Sequence, residues 1–278
     1  MNTATNKFTS IVYMVAGMST RFGGKIKQFE KVGPKEEPLI EISMQQAIKS
    51  GFNEIIFIVG EKTEGPFKQK FGNSYAKIPI KYVNQKFNPA ERDKPWGTVD
   101  ALVCVKKAIK NNFFICNGDD LYGEKALKTA HDFSEKTSGA YECAAVGYPL
   151  GKVIPKNGKT NRGIFKIDKN NFIQSIDEVF EIEKSTLSTM DLDENDLCSM
   201  NLFGLTPQVL ELLEKKLELF KLAHQNDRKV ECLLPVEFSN LIKEKKISMQ
   251  LLPAKDQWLG ITNPGDEEKV RLALAKKA

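Results

Sequence analysis

The sequence predicts an α/β fold, a mostly parallel sheet covered by helices on both faces with an inserted β-hairpin lobe. Three observations carry this. The run EIIFIV at 54–59 is apolar without alternation, as a strand buried on both faces requires. Runs of this kind alternate through the first half with stretches of helical period, the order of a parallel sheet with helical crossovers. Directly after the first run comes a glycine-rich, cationic stretch, VAGMSTRFGGKIKQ at 15–28.

Taken in order, residues 11–15 are the first strand and 42–50 a helix that Gly51 stops. The second strand is 54–59, a helix covers 64–71 and a third strand 78–83. A helix is expected over 98–110, capped by Thr98, with Ala101, Leu102, Val105 and Ile109 on its apolar face. Residues 113–116 are a strand ending in Asn117-Gly118-Asp119-Asp120, followed by a helix at 127–133 and a strand at 140–146. The second half changes character. Residues 163–168 and 172–176 alternate around Lys169-Asn170-Asn171, a hairpin signal. The acidic stretch 181–196 has no period and reads as a mobile loop. A strand at 201–205, helices at 208–220 and 236–244, a strand at 247–252 and a helix at 266–275 complete the chain. The last helix starts acidic and ends in lysines, matching its dipole. No repeat, low-complexity tract or long linker interrupts 1–278, so a single domain is expected, with 1–150 and 151–278 as its two halves.

Composition narrows the function classes. The net charge of +5 is spread over mixed charges without a polybasic block interleaved with aromatics, which argues against nucleic acid as a partner. Two histidines and five cysteines with no CxxC spacing argue against a Cys/His zinc site or a His-centred triad. Buried thiols in a reducing compartment fit better, and no span or signal peptide is recognisable, so a cytoplasmic protein with no membrane partner is expected.

In an open α/β sheet, ligands gather at the C-terminal ends of strands, and four stretches fall there. In 15–28, glycines let backbone approach a ligand, while N–H groups with Arg21, Lys25 and Lys27 make an anion cradle. It is not a Walker A loop, because Ile26 follows Lys25 where a magnesium-binding hydroxyl should stand; Gly17-Met18-Ser19 likewise breaks the dinucleotide fingerprint. At 117–120, paired carboxylates at a strand tip suit magnesium shared with substrate phosphates, against the blander reading of a polar turn. At 85–100, Gln85 can both donate to and accept from a base edge, and Gly97-Thr98 opens a helix whose N–H groups can meet a base or phosphate; Trp96 is better read as loop packing. In the second half, Gly163, Glu178 and Asn201 can bond sugar hydroxyls, though by themselves they read equally well as turn and surface residues.

These residues resemble the sugar-1-phosphate nucleotidyltransferases, also called nucleotide-sugar pyrophosphorylases. The likeness lies in 16–24 followed by Lys27-Gln28, and extends through Gly97-Thr98, Gly118-Asp119-Asp120, Asn161-Arg162-Gly163, Glu178 and Asn201 in the family's order. It implies a Rossmann-like, GT-A-like nucleotidyltransferase fold and the reaction of an NTP with a sugar 1-phosphate to give NDP-sugar and pyrophosphate. By the same likeness Arg21 and Lys27 act catalytically, neutralising phosphate charge. Ala16, Gly17 and Met18 cradle the nucleotide, Gln85, Gly97 and Thr98 meet the base, and Asp119 holds Mg²⁺. Gly163, Glu178 and Asn201 hold the sugar. The family's second metal ligand comes from near the end of the chain, where no aspartate stands at the expected place; Asn263 is selected, with Thr262 as its rival. Asp100 also departs from the small residue or histidine usual after the Gly-Thr pair. UTP is the expected nucleotide, and N-acetylglucosamine or glucose 1-phosphate the expected acceptor. The alternatives are a cytidylyltransferase acting on a non-sugar phosphate such as phosphocholine, a glycosyltransferase using a finished nucleotide sugar, and a non-catalytic nucleotide sensor.

Overall fold

The structure, a computed structural model, describes residues 9–17, 23–155, 158–262 and 265–276. Its strands are β1 (Ser10–Met14), β2 (Glu54–Val59), β3 (Ser74–Tyr75), β4 (Ile78–Asn84), β5 (Phe113–Asn117), β6 (Asp120–Leu121), β7 (Glu142–Pro149), β8 (Thr160–Ile167), β9 (Ile173–Ile182), β10 (Leu197–Leu205), β11 (Ser248–Pro253) and β12 (Leu259–Gly260). The helices are α1 (Leu39–Lys49), α2 (Glu61–Phe71), α3 (Thr98–Cys104), α4 (Glu124–Lys136), α5 (Leu150–Val153), α6 (Val209–Ala223), α7 (Leu234–Lys243) and α8 (Asp266–Ala275).

The unbroken apolar runs become the middle of one sheet, ordered β11-β7-β10-β5-β1-β2-β4-β3. β1 runs parallel to β2 and β5, β2 to β4, and β7 to β11, whereas β10 is antiparallel to both its neighbours. Alternate side chains serve opposite faces. Ile11, Tyr13, Ile55 and Phe57 pack with Ile40 and Met44 of α1, Phe67 of α2 and Leu127 of α4. Val12, Ile56 and Ile58 pack with Leu102 of α3, Leu213 of α6 and Phe238 of α7. A strand clothed on both sides has no polar face to display, which is why EIIFIV shows no alternation. The α/β, mostly parallel architecture expected from the sequence is therefore present.

The hairpin lobe is present too, as β8 and β9 joined to the main sheet where Ile164 pairs with Cys198 of β10. Its turn is held by the Asp168 carboxylate, which accepts the N–H groups of Asn170 (2.8 Å) and Phe172 (2.9 Å), with Asn171 at φ 62°. This is the Asx-type bonding that makes short polar side chains turn formers.

Two expectations need correction. The helix expected over 98–110 ends at Cys104 and tightens into a 3-10 turn at Val105–Lys107, where the Ala108 N–H donates to the Val105 carbonyl at 2.8 Å. Its predicted apolar residues are nonetheless all buried, because the tighter turn still directs Val105 and Ile109 inward. The stretch 181–196 is not an open loop. β9 runs on to Ile182, 3-10 turns occupy Lys184–Thr186 and Ser188–Met190, and Ile182 and Leu187 are buried in the core. Leu150 and Gly151 donate to the Asp196 and Glu194 carbonyls, both at 2.8 Å. Its few apolar residues point inward at spacings that match neither secondary-structure period, so pattern reading misses them. Among the described residues, no helix is long and apolar enough to cross a membrane.

The strand order changes direction at β1, which sits between β2 and β5. A crevice for ligand opens at such a switch point, beyond the C-terminal ends of the strands. The register sets Met14 beside Asn117, so the loops at 15–28 and 117–120 leave the sheet side by side.

Candidate active site

The Gly118 N–H donates to the Met14 carbonyl at 3.1 Å, tying the two loops together where they depart. A side chain on Gly118 would run into Val15 Cγ1, so glycine is needed for this close approach. Of the first loop, Ala16 and Gly17 follow Val15 just beyond β1, and Gly23 and Gly24 take φ of 61° and 84°. Met18 and Arg21 lie outside the described residues. A 3-10 turn at Lys27–Phe29 then brings the chain back, anchored by Phe29 against Phe67 with ring centroids 4.7 Å apart. From this turn Lys27 forms an ion pair with Asp119. Lys25 is exposed.

Asp119 and Asp120 are adjacent but sit in different surroundings. Asp119 is reached by Lys27, while Asp120 is buried at the start of β6 and accepts from Asn117 Nδ2 at 2.8 Å. The Tyr122 hydroxyl lies 3.2 Å from Asp120 and 2.7 Å from the Met200 carbonyl. Burial, and then the neighbouring Asp119 charge, push the Asp120 carboxyl up to about 7. Two crowded carboxylates, one of them desolvated, form a donor set that a hard divalent cation would relieve, so these residues fit Mg²⁺.

The end of the chain returns to this point. β12 pairs with β6, setting Gly260 opposite Asp120, and the Ile261 N–H donates to the Asp119 carbonyl at 3.1 Å. A side chain at Gly260 would collide with the Asp120 carboxylate and the Trp258 ring, so Asp120 fills the space that this stretch leaves. Asn263 lies outside the described residues. The Thr262 N–H donates to Asp266 at the start of α8, 3.1 Å away.

Gln85, Gly97 and Asp100 form a second cluster. The Gln85 amide nitrogen donates to Asp100 Oδ2 at 2.8 Å and to the Gly97 carbonyl at 3.2 Å. The expected helix start is modified here. Gly97, not Thr98, occupies the cap position; the Thr98 hydroxyl accepts the Leu234 N–H at 2.9 Å, and the Val99 N–H is taken by the Cys232 carbonyl at 3.1 Å. Gly97 has φ 104°, and a Cβ there would lie 2.6 Å from the Cys232 oxygen and 2.9 Å from its nitrogen. Packing alone therefore accounts for this glycine. Gly97→Ala is expected to destabilise the fold by about 2–3 kcal/mol through strain and collision, read as a lower urea midpoint; an unchanged midpoint would refute the packing account. Trp96 is loop packing, with the Arg92 guanidinium 3.7 Å from its ring centre.

On the hairpin side, β8–β9 register pairs Gly163 with Glu178, and a Cβ on Gly163 would lie 3.3 Å from Glu178 Oε2. Burial raises the Glu178 carboxyl, and Arg162 pulls it partly back. Asn201 occupies a bulge of β10 at φ 60°, its amide 3.4 Å from Asn117 Oδ1, which links it to the Asp120 network. In the sequence Arg162 stands out only as part of the Asn161-Arg162-Gly163 stretch. Its guanidinium lies 5.9 Å from the Trp258 ring centre and its buried Nε has no hydrogen-bond partner among the described residues. Asn117 stands in the 117–120 stretch without a charge to single it out, and Trp258 lies in no charged or glycine-rich stretch that would mark it.

Comparison with known proteins bears on the family and the fold. Residues 22–236 match the family model for nucleotidyl transferases. The chain is 30% identical over 190 residues to the D-glycero-alpha-D-manno-heptose 1-phosphate guanylyltransferase of Campylobacter jejuni, spanning 62% of this chain and 82% of that one. It is 26% identical over 239 residues to the UTP–glucose-1-phosphate uridylyltransferase of Streptococcus pneumoniae, spanning 76% and 75%. Among solved structures, the inositol-1-phosphate CTP transferase of T. maritima superposes with a TM-score of 0.69 at 15% identity, over 97% of this chain and 96% of that one. At that identity the likeness concerns the fold.

Proposed function

The chain belongs to the nucleotidyl transferase family, and from that premise we propose that it joins a nucleoside triphosphate, UTP, to a sugar 1-phosphate, releasing pyrophosphate. Glucose or N-acetylglucosamine 1-phosphate is the proposed acceptor. The observation that carries this reading is the meeting of Lys27 and Asp119 at the switch point, where the stretches that follow β1 and β5 leave the sheet side by side.

An oxygen of the sugar phosphate attacks the α-phosphorus in line. The new P–O bond forms as the bond to the α–β bridging oxygen breaks, and pyrophosphate leaves with that electron pair. The nucleophile is already anionic, so no general base is needed, and the protein's work is positioning and charge neutralisation. Ala16, Gly17 and Met18 hold the triphosphate by backbone, Arg21 and Lys27 neutralise it, and Gln85 faces the base, with Gly97 and Thr98 beside it at the packed start of α3. Gly163, Glu178 and Asn201 orient the sugar. Mg²⁺ held by Asp119, with Asp120 beside it and Asn263 as a further ligand, would supply Lewis-acid charge neutralisation at the phosphates.

A pyrophosphate-release screen of the NTPs against sugar phosphates tests the reading, with CTP and phosphocholine as one arm. Release with UTP and a hexose 1-phosphate, abolished by EDTA and restored by Mg²⁺, is expected; release only with CTP and phosphocholine would replace the reading. Glu178→Gln is expected to raise KM for the sugar phosphate about tenfold or more while KM for the nucleotide stays within about twofold. Equal rises in both would remove Glu178 from the sugar side.

A further inference from the structure

Resting on the reading that Gln85 faces the base, we propose that Asp100, held by Lys221, is a positioning residue that locks the Gln85 amide as a hydrogen-bond acceptor. The site then selects triphosphates whose base carries a ring N–H, uracil or guanine, over cytosine and adenine.

The argument starts from the amide's surroundings. Gln85 is buried, and among the described residues its nitrogen donates to a carboxylate and a backbone carbonyl, Asp100 Oδ2 at 2.8 Å and the Gly97 oxygen at 3.2 Å. Both can only accept. Turning the amide over would set its oxygen against two acceptors and forfeit both bonds, so one orientation is dictated by chemistry. Asp100 cannot easily swing aside. It too is buried, and its other oxygen accepts from Lys221 Nζ at 2.8 Å, an ion pair that fastens α3 to α6. The Lys221 ammonium lies 5.9 Å from the Trp96 ring centre, and that ring is stacked in turn by Arg92.

With both amide hydrogens spent within the chain, Gln85 has only the lone pairs of Oε1 to offer a base. Uracil N3 and guanine N1 carry a hydrogen and can donate to it. In the register that sets the ring nitrogen against Oε1, cytosine N3 and adenine N1 present a lone pair and meet it acceptor to acceptor, and their amino groups can bond Oε1 only from a shifted register. A site whose polar groups are fixed in this way rejects the mismatched partner far more strongly than one whose amide can turn.

The test is isothermal titration of the full chain with UTP, GTP, CTP and ATP in the presence of Mg²⁺, which needs no knowledge of the acceptor sugar. The wild type is expected to bind UTP or GTP about tenfold or more tightly than CTP and ATP. Asp100→Asn, whose amide can donate to as well as accept from Gln85, frees the turn and is expected to cut that ratio below about threefold. Lys221→Met loosens Asp100 without altering it and is expected to lower the ratio by a smaller step, serving as the readout if the first variant does not fold. A wild-type preference for CTP or ATP overturns the proposal, as does an unchanged ratio in the Asp100 variant or, failing that, in the Lys221 variant. Gln85→Ala separates the two levels of the argument. If it leaves the wild-type ratio intact, Gln85 does not face the base and the reading beneath the proposal fails. If it levels the ratio while Asp100→Asn does not, only the lock fails.

Discussion

Asp119→Ala is expected to lower kcat for pyrophosphate formation by about three powers of ten, the scale on which charge-positioning groups act in phosphoryl transfer. The same change should leave the urea midpoint nearly untouched. Asp119 is partly exposed, and its carboxylate is paired with Lys27 rather than built into the core. Surface ion pairs of this kind contribute about 0–1 kcal/mol, and losing this one also relieves the like charge that Asp119 imposes on buried Asp120. Steady-state pyrophosphate release and chemical denaturation on the same preparation check both halves. A drop in stability comparable to the loss of rate would mean that Asp119 supports the loop rather than the reaction, and near-normal turnover would refute the assignment outright.

The second large effect is on the cationic side. Lys27→Ala is expected to cost about two to three powers of ten in kcat, and Arg21→Ala, argued from its place in the loop sequence, a similar amount. Lys27 stands on a turn braced by Phe29 against Phe67, so its ammonium is delivered from a fixed base to the tip of β5. A flexible lysine would lose more rotamer entropy on meeting phosphate. Lys27→Arg should therefore recover only part of the rate, since a planar fork set on that base does not reproduce a point charge. Rapid-quench measurement of a single turnover separates the chemical step from product release. Full activity of Lys27→Ala, at saturating nucleotide, would move the catalytic charge elsewhere in the loop.

Much of this candidate site was legible from residue order because its charged and glycine residues lie in short local stretches. Lys27 and Asp119 fall on loops that follow buried strands, and strand order alone brings such loops to one edge. Asp100 was visible as a departure from the family pattern, but its consequence was not. Nothing in the spacing of Gln85, Asp100 and Lys221 says that they form one chain of hydrogen bonds, because Lys221 arrives on α6, 121 positions further on. Gly97 shows the opposite case. Its glycine reads as a ligand-facing position, yet the backbone of Cys232 already fills the space beside it.

The sequence by itself determined the α/β class, the parallel core and the positions of the charged loops, because burial on two faces and strand-to-loop order are written in local pattern. Only the tertiary structure decided which polar groups are already spent. It put Gly260, not a carboxylate, beside Asp120, gave the Thr98 hydroxyl to Leu234, and set both hydrogens of Gln85 against acceptors. A hydrogen bond is satisfied by whatever partner lies within about 3 Å, and that partner is set by how distant segments pack, which no local period records.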